Sequence, residues 1–366
     1  MLRRAGADVI LLSSPGERAQ QLADKERARF VPVEMRREIS PRSDVRTLFE
    51  LKRVLSELAP DLVNAGTPKA GLLVTSAAAA TRVPVRVFTL RGLRSATMTG
   101  PSKYLVRAAE AASCRMAHHV ICISPSLRAE AIKFGVLPPE RGVVLGAGSS
   151  NGVDIDHFQR SDDAMAAGQA LRERLGVSPG ALVVSFVGRV HREKGILELL
   201  EAFANLRIPD AVLLVAGPSE LTPGEAEQLE RQAVAGRVKL LGLIDDVRAV
   251  YAATDVVALP SWREGFGNVV IESAAMGVPV VASNVTGCCD GIVDGETGTL
   301  VPPRQPDALS RALLVYAHDP GLRRRHGEAG RRRAVSAFSN KVVWAEQLAF
   351  YNELLRGLPV RPLDLP

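Results

Sequence analysis

Short apolar runs alternate along this chain with longer segments of helical period. In the first half, the runs at 8–13, 61–64, 85–90, 119–123 and 142–145 predict strands, and apolar spacing predicts helices over 45–59, 70–81, 103–116 and 125–134. In the second half, strands fit 181–188, 211–216, 238–241, 256–259 and 279–282, with helices over 196–205, 224–235, 246–253 and 268–276. Alternation of this kind gives parallel sheets covered by helices on both faces. A polar, small-residue-rich stretch at 158–168 reads as a break. The expectation is therefore an α/β chain of two doubly wound domains, 1–158 and 159–340. An amphipathic helix over 341–355 follows, within a terminal segment 341–358. Ligands of such sheets sit at the carboxyl ends of strands. With two facing domains, the cleft between them is where a site is expected.

Composition narrows the class. The 366 residues suffice for two ordinary domains, and 46% hydrophobic content suits a globular protein. No apolar run approaches the roughly 18–20 residues that span a bilayer. The run at 9–12 is too short for a signal-peptide core. Cys114, Cys122, Cys288 and Cys289 lack metal-ligand spacing, and the adjacent pair reads as two reduced thiols in a loop, which suits a cytoplasmic compartment.

The net charge of +6 is unevenly spread: residues 1–160 carry 24 Lys and Arg against 15 Asp and Glu, and residues 161–366 carry 22 against 25. From Arg82 to Arg115, seven cations face only Glu110. Such a window suits an anionic lipid surface, a phosphorylated acceptor or plain solvation. With aromatics at 4% and no stacking motif among the charges, nucleic acid is disfavoured. The arginine run from Arg323 to Arg333 reads as the exposed face of a helix.

The chemistry concentrates at Arg263-Glu264-Gly265-Phe266-Gly267-Asn268-Val269-Val270-Ile271-Glu272. An apolar strand precedes it and a helix begins within it. A strand, a Gly-rich turn and a helix N-terminus present free N–H groups and a positive dipole end to anions. Gly265, Phe266, Gly267 and Asn268 are expected to offer their N–H groups, glycine allowing close approach. Carboxylates beside such a turn are poor phosphate ligands but good acceptors for sugar hydroxyls. The pattern implies a ligand with both phosphate and sugar. A second motif, Gly188-Arg189 to Arg192-Glu193-Lys194-Gly195, also follows a strand and opens a helix. The pair Asp154 and Asp156 invites a metal reading, but its place at the domain boundary favours capping and turn roles.

These motifs, with Pro-Ser-x-x-Glu-Gly-Phe and Ala-Met-Gly-Val-Pro-Val-Val-Ala around them, resemble the signature of the retaining glycosyltransferases of family 4, and the resemblance runs over nearly the whole chain. It implies a GT-B fold and transfer of a hexose or N-acetylhexosamine from a nucleotide sugar, UDP-linked by preference. By the same resemblance, Glu264 contacts the donor sugar and Glu272 the nucleotide ribose. Arg189 and Lys194 hold the diphosphate, with Gly188 beside them, and Gly242 and Leu243 pack against the base. Cations in place of a metal imply that none is required, and no cofactor is expected. The combination of Gly148-Ser149-Ser150-Asn151-Gly152-Val153, Thr89-Leu90-Arg91-Gly92-Leu93-Arg94 and Arg263-Glu264-Gly265-Phe266-Gly267-Asn268 looks most like bacterial transferases that build capsular, exopolysaccharide or glycan-carrier oligosaccharides. The implied acceptor is a lipid-diphosphate-linked saccharide at the inner membrane face, with the basic N-terminal domain against an anionic surface. Arg91 stands where many relatives carry His. It stays protonated and is no general base, so Arg91, Arg94 and Lys69 are candidates for an acceptor phosphate.

Relatives usually begin with a strand, a Gly-rich loop and a helix, whereas this sequence opens at what reads as the end of that helix. The expectation is that roughly 20–30 residues are missing, exposing two strand edges and an apolar seam. Two rivals stand beside the transferase reading: a sugar-nucleotide epimerase of similar fold, and an inactive nucleotide-sugar-binding subunit.

Overall fold

The computed structural model describes residues 1–36, 40–234 and 236–364. The chain divides into two units, Met1–Ser150 with Val343–Pro366, and Asn151–Val342.

In the first unit, β1 (Ile10–Ser13), α1 (Glu17–Glu26) and β2 (Arg29–Pro32) precede α2 (Pro41–Leu58), β3 (Leu62–Ala65), α3 (Pro68–Ala80) and β4 (Val85–Leu90). Then come α4 (Ser102–Met116), β5 (His119–Cys122), α5 (Pro125–Lys133) and β6 (Gly142–Val143). Strands β3-β4-β5-β6 form one parallel sheet in that order, and β1 pairs with β2 in a separate parallel pair. Consecutive residues of both β1 and β3, Ile10 to Ser13 and Leu62 to Ala65, line one cavity of about 650 Å³. The cavity therefore runs along the strand edges that have no partner among the described residues, since the other edge of β1 meets β2 and that of β3 meets β4.

The second unit contains α6 (Asp162–Arg174), β7 (Val183–Val187), α7 (Ile196–Asn205), β8 (Val212–Ala216), α8 (Pro223–Val234), β9 (Val238–Gly242) and α9 (Arg248–Ala252). It continues through β10 (Val256–Leu259), α10 (Asn268–Ala275), β11 (Val280–Ser283), α11 (Cys288–Gly291), β12 (Gly298–Val301), α12 (Pro306–His318) and α13 (Pro320–Phe338). The last residue of the helix expected over 224–235, Ala235, lies outside the described residues. All six strands run parallel in the order β12-β11-β10-β7-β8-β9. Every residue of β7, β8, β10 and β11 is buried, as the continuous apolar runs require. Alternate residues feed two cores: Val184, Phe186, Leu213 and Val215 pack with α7 and α12, while Val183, Val187, Leu214 and Ala216 pack with α6, α9 and α10. Each unit is thus α/β and Rossmann-type, with a parallel sheet.

Several expectations change. The stretch at 158–168 is largely α6, not a break. Its sequence hid the helix because its buried contacts are small: Ala164, Gly168 and Leu171. Gly168 lies so close to α9 that a Cβ there would stand 2.6 Å from that of Ala252. The first boundary falls at Ser150/Asn151, not after residue 158. The reason is that Val153 donates to Phe338 O and accepts from Asn340 N–H, which stitches residues after 150 into the second unit.

The terminal helix α14 (Asn340–Leu355) groups with the first unit from Val343 onward, not from 341. There the Tyr351 hydroxyl oxygen accepts from Asn64 Nδ2 at 2.6 Å, and its ring joins Val85, Val87 and Ile121. The arginine run is not simply a solvated face. Arg323 donates to Tyr316 O, Arg331 to Ala275 O and Arg333 to Asp290 O. Cys288 and Cys289 open α11 rather than lie in a loop.

Candidate functional site

Strands β7, β9 and β10 bring the second unit's candidate residues to their carboxyl ends. After β7, Gly188 takes φ +138°, and the chain turns through Arg189 to a short 3₁₀ turn, Arg192–Lys194. Gly195 closes that turn at φ +75° and starts α7. A Cβ on Gly195 would lie 2.1 Å from Pro260 O, so only glycine lets the β7 turn seat against the end of β10. Gly195→Ala is expected to cost about 1–3 kcal/mol of stability in backbone strain alone, read as a lowered urea midpoint.

That packing brings Lys194 to Glu264. Lys194 Nζ lies 2.5 Å from Glu264 Oε1, and Ser261 Oγ donates to the same oxygen at 2.8 Å. Arg189 is directed elsewhere: its guanidinium meets Glu220 at 2.7 Å and is 60% exposed, against 23% for Lys194. The two cations singled out by sequence therefore differ, one held against a carboxylate and one largely in solvent.

Gly267, at φ +72°, is the N-cap of α10. The N–H groups at the start of a helix have no intrahelical acceptor, and Glu264 lies beside this end of α10: a Cβ on Gly267 would stand 3.7 Å from Glu264 Cγ. The Phe266 side chain is not at the surface of this turn. It is buried and packs on Phe338 with ring centroids 5.2 Å apart, anchoring the loop from below. One and a half turns into α10, Glu272 Oε2 accepts from the Tyr251 hydroxyl at 2.8 Å. Burial raises the Glu272 carboxyl above its ordinary value, and the Tyr251 hydrogen bond partly opposes this. At the end of β9, Gly242 takes φ +64° and accepts from Gly217 N–H at 2.7 Å, while Leu243 is 73% exposed.

Sequence reasoning missed the groups that hold these residues. Tyr251 is fully buried on α9, and nothing in its surrounding sequence ties it to Glu272. Trp262 Nε1 donates to Glu198 on α7 at 2.9 Å, with the Arg304 guanidinium 4.0 Å from its ring centre. Ser261 lies inside the Pro-Ser-x-x-Glu motif, which was the available signal for it.

In the first unit, Lys69 opens α3 and pairs with Asp44 of α2 at 2.5 Å. Arg91 and Arg94 follow β4 and are exposed. The backbone N–H of Arg94 and the Ser95 hydroxyl both donate to the buried Glu110, which fixes this loop from α4. Lys69 and Arg94 line the same cavity as Asn64 and Thr67. The basic window does not form one face. Arg86, bonded to Met116 O and Val83 O, sits with Arg82 and Arg115 at the amino ends of β4 and β5. Arg91 and Arg94 lie past the carboxyl end of β4. Asp154 takes a turn role: its Oδ1 accepts from the N–H groups of Asp156 and His157.

Comparison with known proteins adds a family context. Residues 1–148 match the model of the glycosyl transferase 4-like domain, and residues 181–319 match that of glycosyl transferases group 1. The chain is 34% identical over 359 residues to the capsular polysaccharide biosynthesis glycosyltransferase CapM of Staphylococcus aureus, covering 97% of this chain and 92% of that one. It is 27% identical to the UDP-Gal:alpha-D-GlcNAc-diphosphoundecaprenol alpha-1,3-galactosyltransferase of Escherichia coli, covering 86% and 80%. Among solved structures, Anabaena HepE with UDP and glucose superposes with a TM-score of 0.78 at 23% identity, over 93% of this chain and 91% of that one.

Proposed function

The chain belongs to the GT-B glycosyltransferases of family 4, and from that premise we propose that it transfers, with retention at the anomeric carbon, a hexose or N-acetylhexosamine from a UDP-sugar to a lipid-diphosphate-linked saccharide, in the assembly of a bacterial surface polysaccharide. The observation that carries this reading is the contact of Lys194, Glu264 and Ser261 at the N-terminus of α10, with Glu272 on the same helix. A cation, a sugar-accepting carboxylate and a helix N-terminus meet at one point, which suits a nucleotide diphosphate sugar.

In this reading the bond from the anomeric carbon to the phosphate oxygen breaks, and the acceptor oxygen bonds to that carbon on the same face. The acceptor hydroxyl's proton passes to the departing phosphate oxygen, so no protein base is needed. Lys194, with Arg189 swung from Glu220, offsets the charge that grows on the diphosphate. Glu264 accepts from a hydroxyl of the donor sugar and Glu272 from the ribose. Gly188 and the N–H groups of Gly265 to Asn268 admit the phosphates closely, and Gly242 and Leu243 meet the base. Arg91, Arg94 and Lys69 serve the acceptor diphosphate.

The relatives' names support the substrate classes: one makes capsular polysaccharide, and another uses UDP-Gal and a diphosphoundecaprenol-linked GlcNAc. No described helix is long and apolar enough to cross a membrane, and residence at the inner membrane face is part of the reading.

Calorimetric titration with UDP, GDP and ADP, followed by transfer to a polyprenyl-diphosphate sugar, tests it. Tight binding of UDP over GDP and ADP with acceptor-dependent transfer is expected. Epimer formation without acceptor, or binding without turnover, would overturn it. Because cations take the place of a metal in this reading, the transfer rate is expected to be unchanged in EDTA. A rate lost in EDTA and restored by Mg²⁺ or Mn²⁺ would reject that part.

A further inference from the structure

The second unit holds a cavity that neither the donor nor the acceptor residues line. It measures about 660 Å³, a volume in the range of small-molecule sites. Asp255, just before β10, and Gly277 to Pro279, just before β11, line it together with residues of α6 and α13. Lys194 and Glu264 follow the carboxyl ends of β7 and β10. The cavity therefore lies at the amino end of the same sheet, away from them.

Five arginines line it, Arg160, Arg172, Arg323, Arg324 and Arg331, against two carboxylates, Asp255 and Glu328. Asp255 is already answered. Its Oδ2 accepts from Arg172 at 2.9 Å and from Val183 N–H at 2.8 Å, and its Oδ1 lies 3.8 Å from Arg323 Nε. Arg331 gives one N–H to Ala275 O at 2.7 Å, and a guanidinium has five. Arg160 and Arg324 are exposed and pair with no carboxylate among the described residues. Arg160 lies over the start of β11, its Cδ 3.7 Å from where a Cβ on Gly277 would stand. The result is a recess with an excess of cations that its own carboxylates do not use up.

We infer that this recess binds a small diphosphate-bearing anion, with Arg160, Arg324 and Arg331 donating to its oxygens. Guanidinium forks match phosphate oxygens two N–H groups at a time, and a recess lined by one sign of charge concentrates such anions. Arg160 precedes α6 while Arg324 and Arg331 stand on α13, so the anion is held from two elements. The volume and three guanidiniums suit a diphosphate better than orthophosphate. Nucleic acid is the poorer occupant, because it needs a basic stripe or face and these cations gather in a recess. Glu328 lies within about one turn of both Arg324 and Arg331 on α13, so its charge opposes the anion. None of this rests on the transferase reading.

The test is calorimetric titration of the full chain with inorganic diphosphate and, separately, with ADP. Both are run on the parent and on Lys194→Ala, because a diphosphate could also enter the donor site. Binding that persists in Lys194→Ala is expected. Arg160→Ser with Arg324→Ser should weaken it by on the order of a hundredfold, with circular dichroism unchanged because both side chains are exposed. Glu328→Gln should tighten it by about fivefold. Arg311→Ser with Arg332→Ser removes as much charge from exposed positions outside the cavity, and should bind like the parent. Tighter binding of ADP makes the occupant a nucleotide, tighter binding of inorganic diphosphate makes it the free anion, and both support the site. The inference fails if diphosphate binds no better than sulfate at equal ionic strength, or if the Arg160 and Arg324 changes leave binding intact. It also fails if the Arg311 and Arg332 changes weaken it as much, or if Glu328→Gln weakens it. Loss of all binding in Lys194→Ala alone assigns the anion to the donor site and overturns the inference, leaving the transferase reading intact.

Discussion

Lys194→Ala is expected to lower the turnover number by on the order of a hundredfold, with a smaller rise in the donor KM. The argument rests on where the cation sits. Its ammonium is 2.5 Å from Glu264 and three-quarters shielded from solvent, so its field at a neighbouring diphosphate is weakly screened. Charge on that diphosphate grows as the sugar leaves, so the loss falls more on the rate than on ground-state binding. Arg189 provides the internal comparison. It is largely solvated and paired with Glu220, so Arg189→Ala should cost roughly tenfold or less. Lys194→Arg should not restore the rate, because a planar fork on the same short turn cannot place its charge where the ammonium stands. Initial rates for the three variants decide the matter. Near-normal turnover in Lys194→Ala, or a larger loss in Arg189→Ala, would reject the assignment.

Why these residues could be read from sequence, and their supports could not, follows from the forces involved. The strands of the second unit are continuous apolar runs because both faces are covered, so their positions stand out. The turns after them carry glycines that backbone geometry demands, at Gly195 and Gly267, and these mark where the chain must come close to something. Charged residues beside such turns are therefore conspicuous.

Tyr251 and Glu110 left no such mark. Each looks like an ordinary helical residue, and only tertiary packing brings the Tyr251 hydroxyl to Glu272 or the Glu110 carboxylate to the loop after β4. Helix α6 was hidden for the opposite reason, since close packing through Gly168 replaces the large apolar side chains by which a buried helix is recognised. The basic window misled because sequence proximity is not spatial proximity in a parallel sheet. Residues on either side of β4 emerge at opposite ends of the strand, which separates Arg86 from Arg91.

Glu272→Gln is expected to weaken UDP binding by about tenfold to a hundredfold while making the ligand-free protein slightly more stable at neutral pH. Both effects come from one buried carboxylate. Burial raises the folded-state Glu272 above the ordinary carboxyl value. Folding therefore favours the protonated form. The contribution of this group to stability is fully present below the unfolded pKa and is lost as pH rises through the higher folded pKa. When ionised, the carboxylate is disfavoured by its burial, and glutamine removes that cost while keeping an oxygen for the Tyr251 hydroxyl. Ribose hydroxyls, by contrast, bind the anion best, because hydrogen bonds to a charged acceptor are the stronger ones.

UDP affinity should then fall as the parent protein is acidified through the raised Glu272 value, whereas Glu272→Gln should lack this component. Tyr251→Phe supplies the check on cause. The hydroxyl lowers the Glu272 value, so its removal should move the loss of affinity to higher pH without emptying the buried site of its ring. Calorimetry with UDP across pH, paired with thermal midpoints of the same three proteins, reads both halves of the prediction. A Glu272→Gln protein that binds UDP like its parent, or a Tyr251→Phe profile that coincides with the parent's, would remove Glu272 from the ribose site.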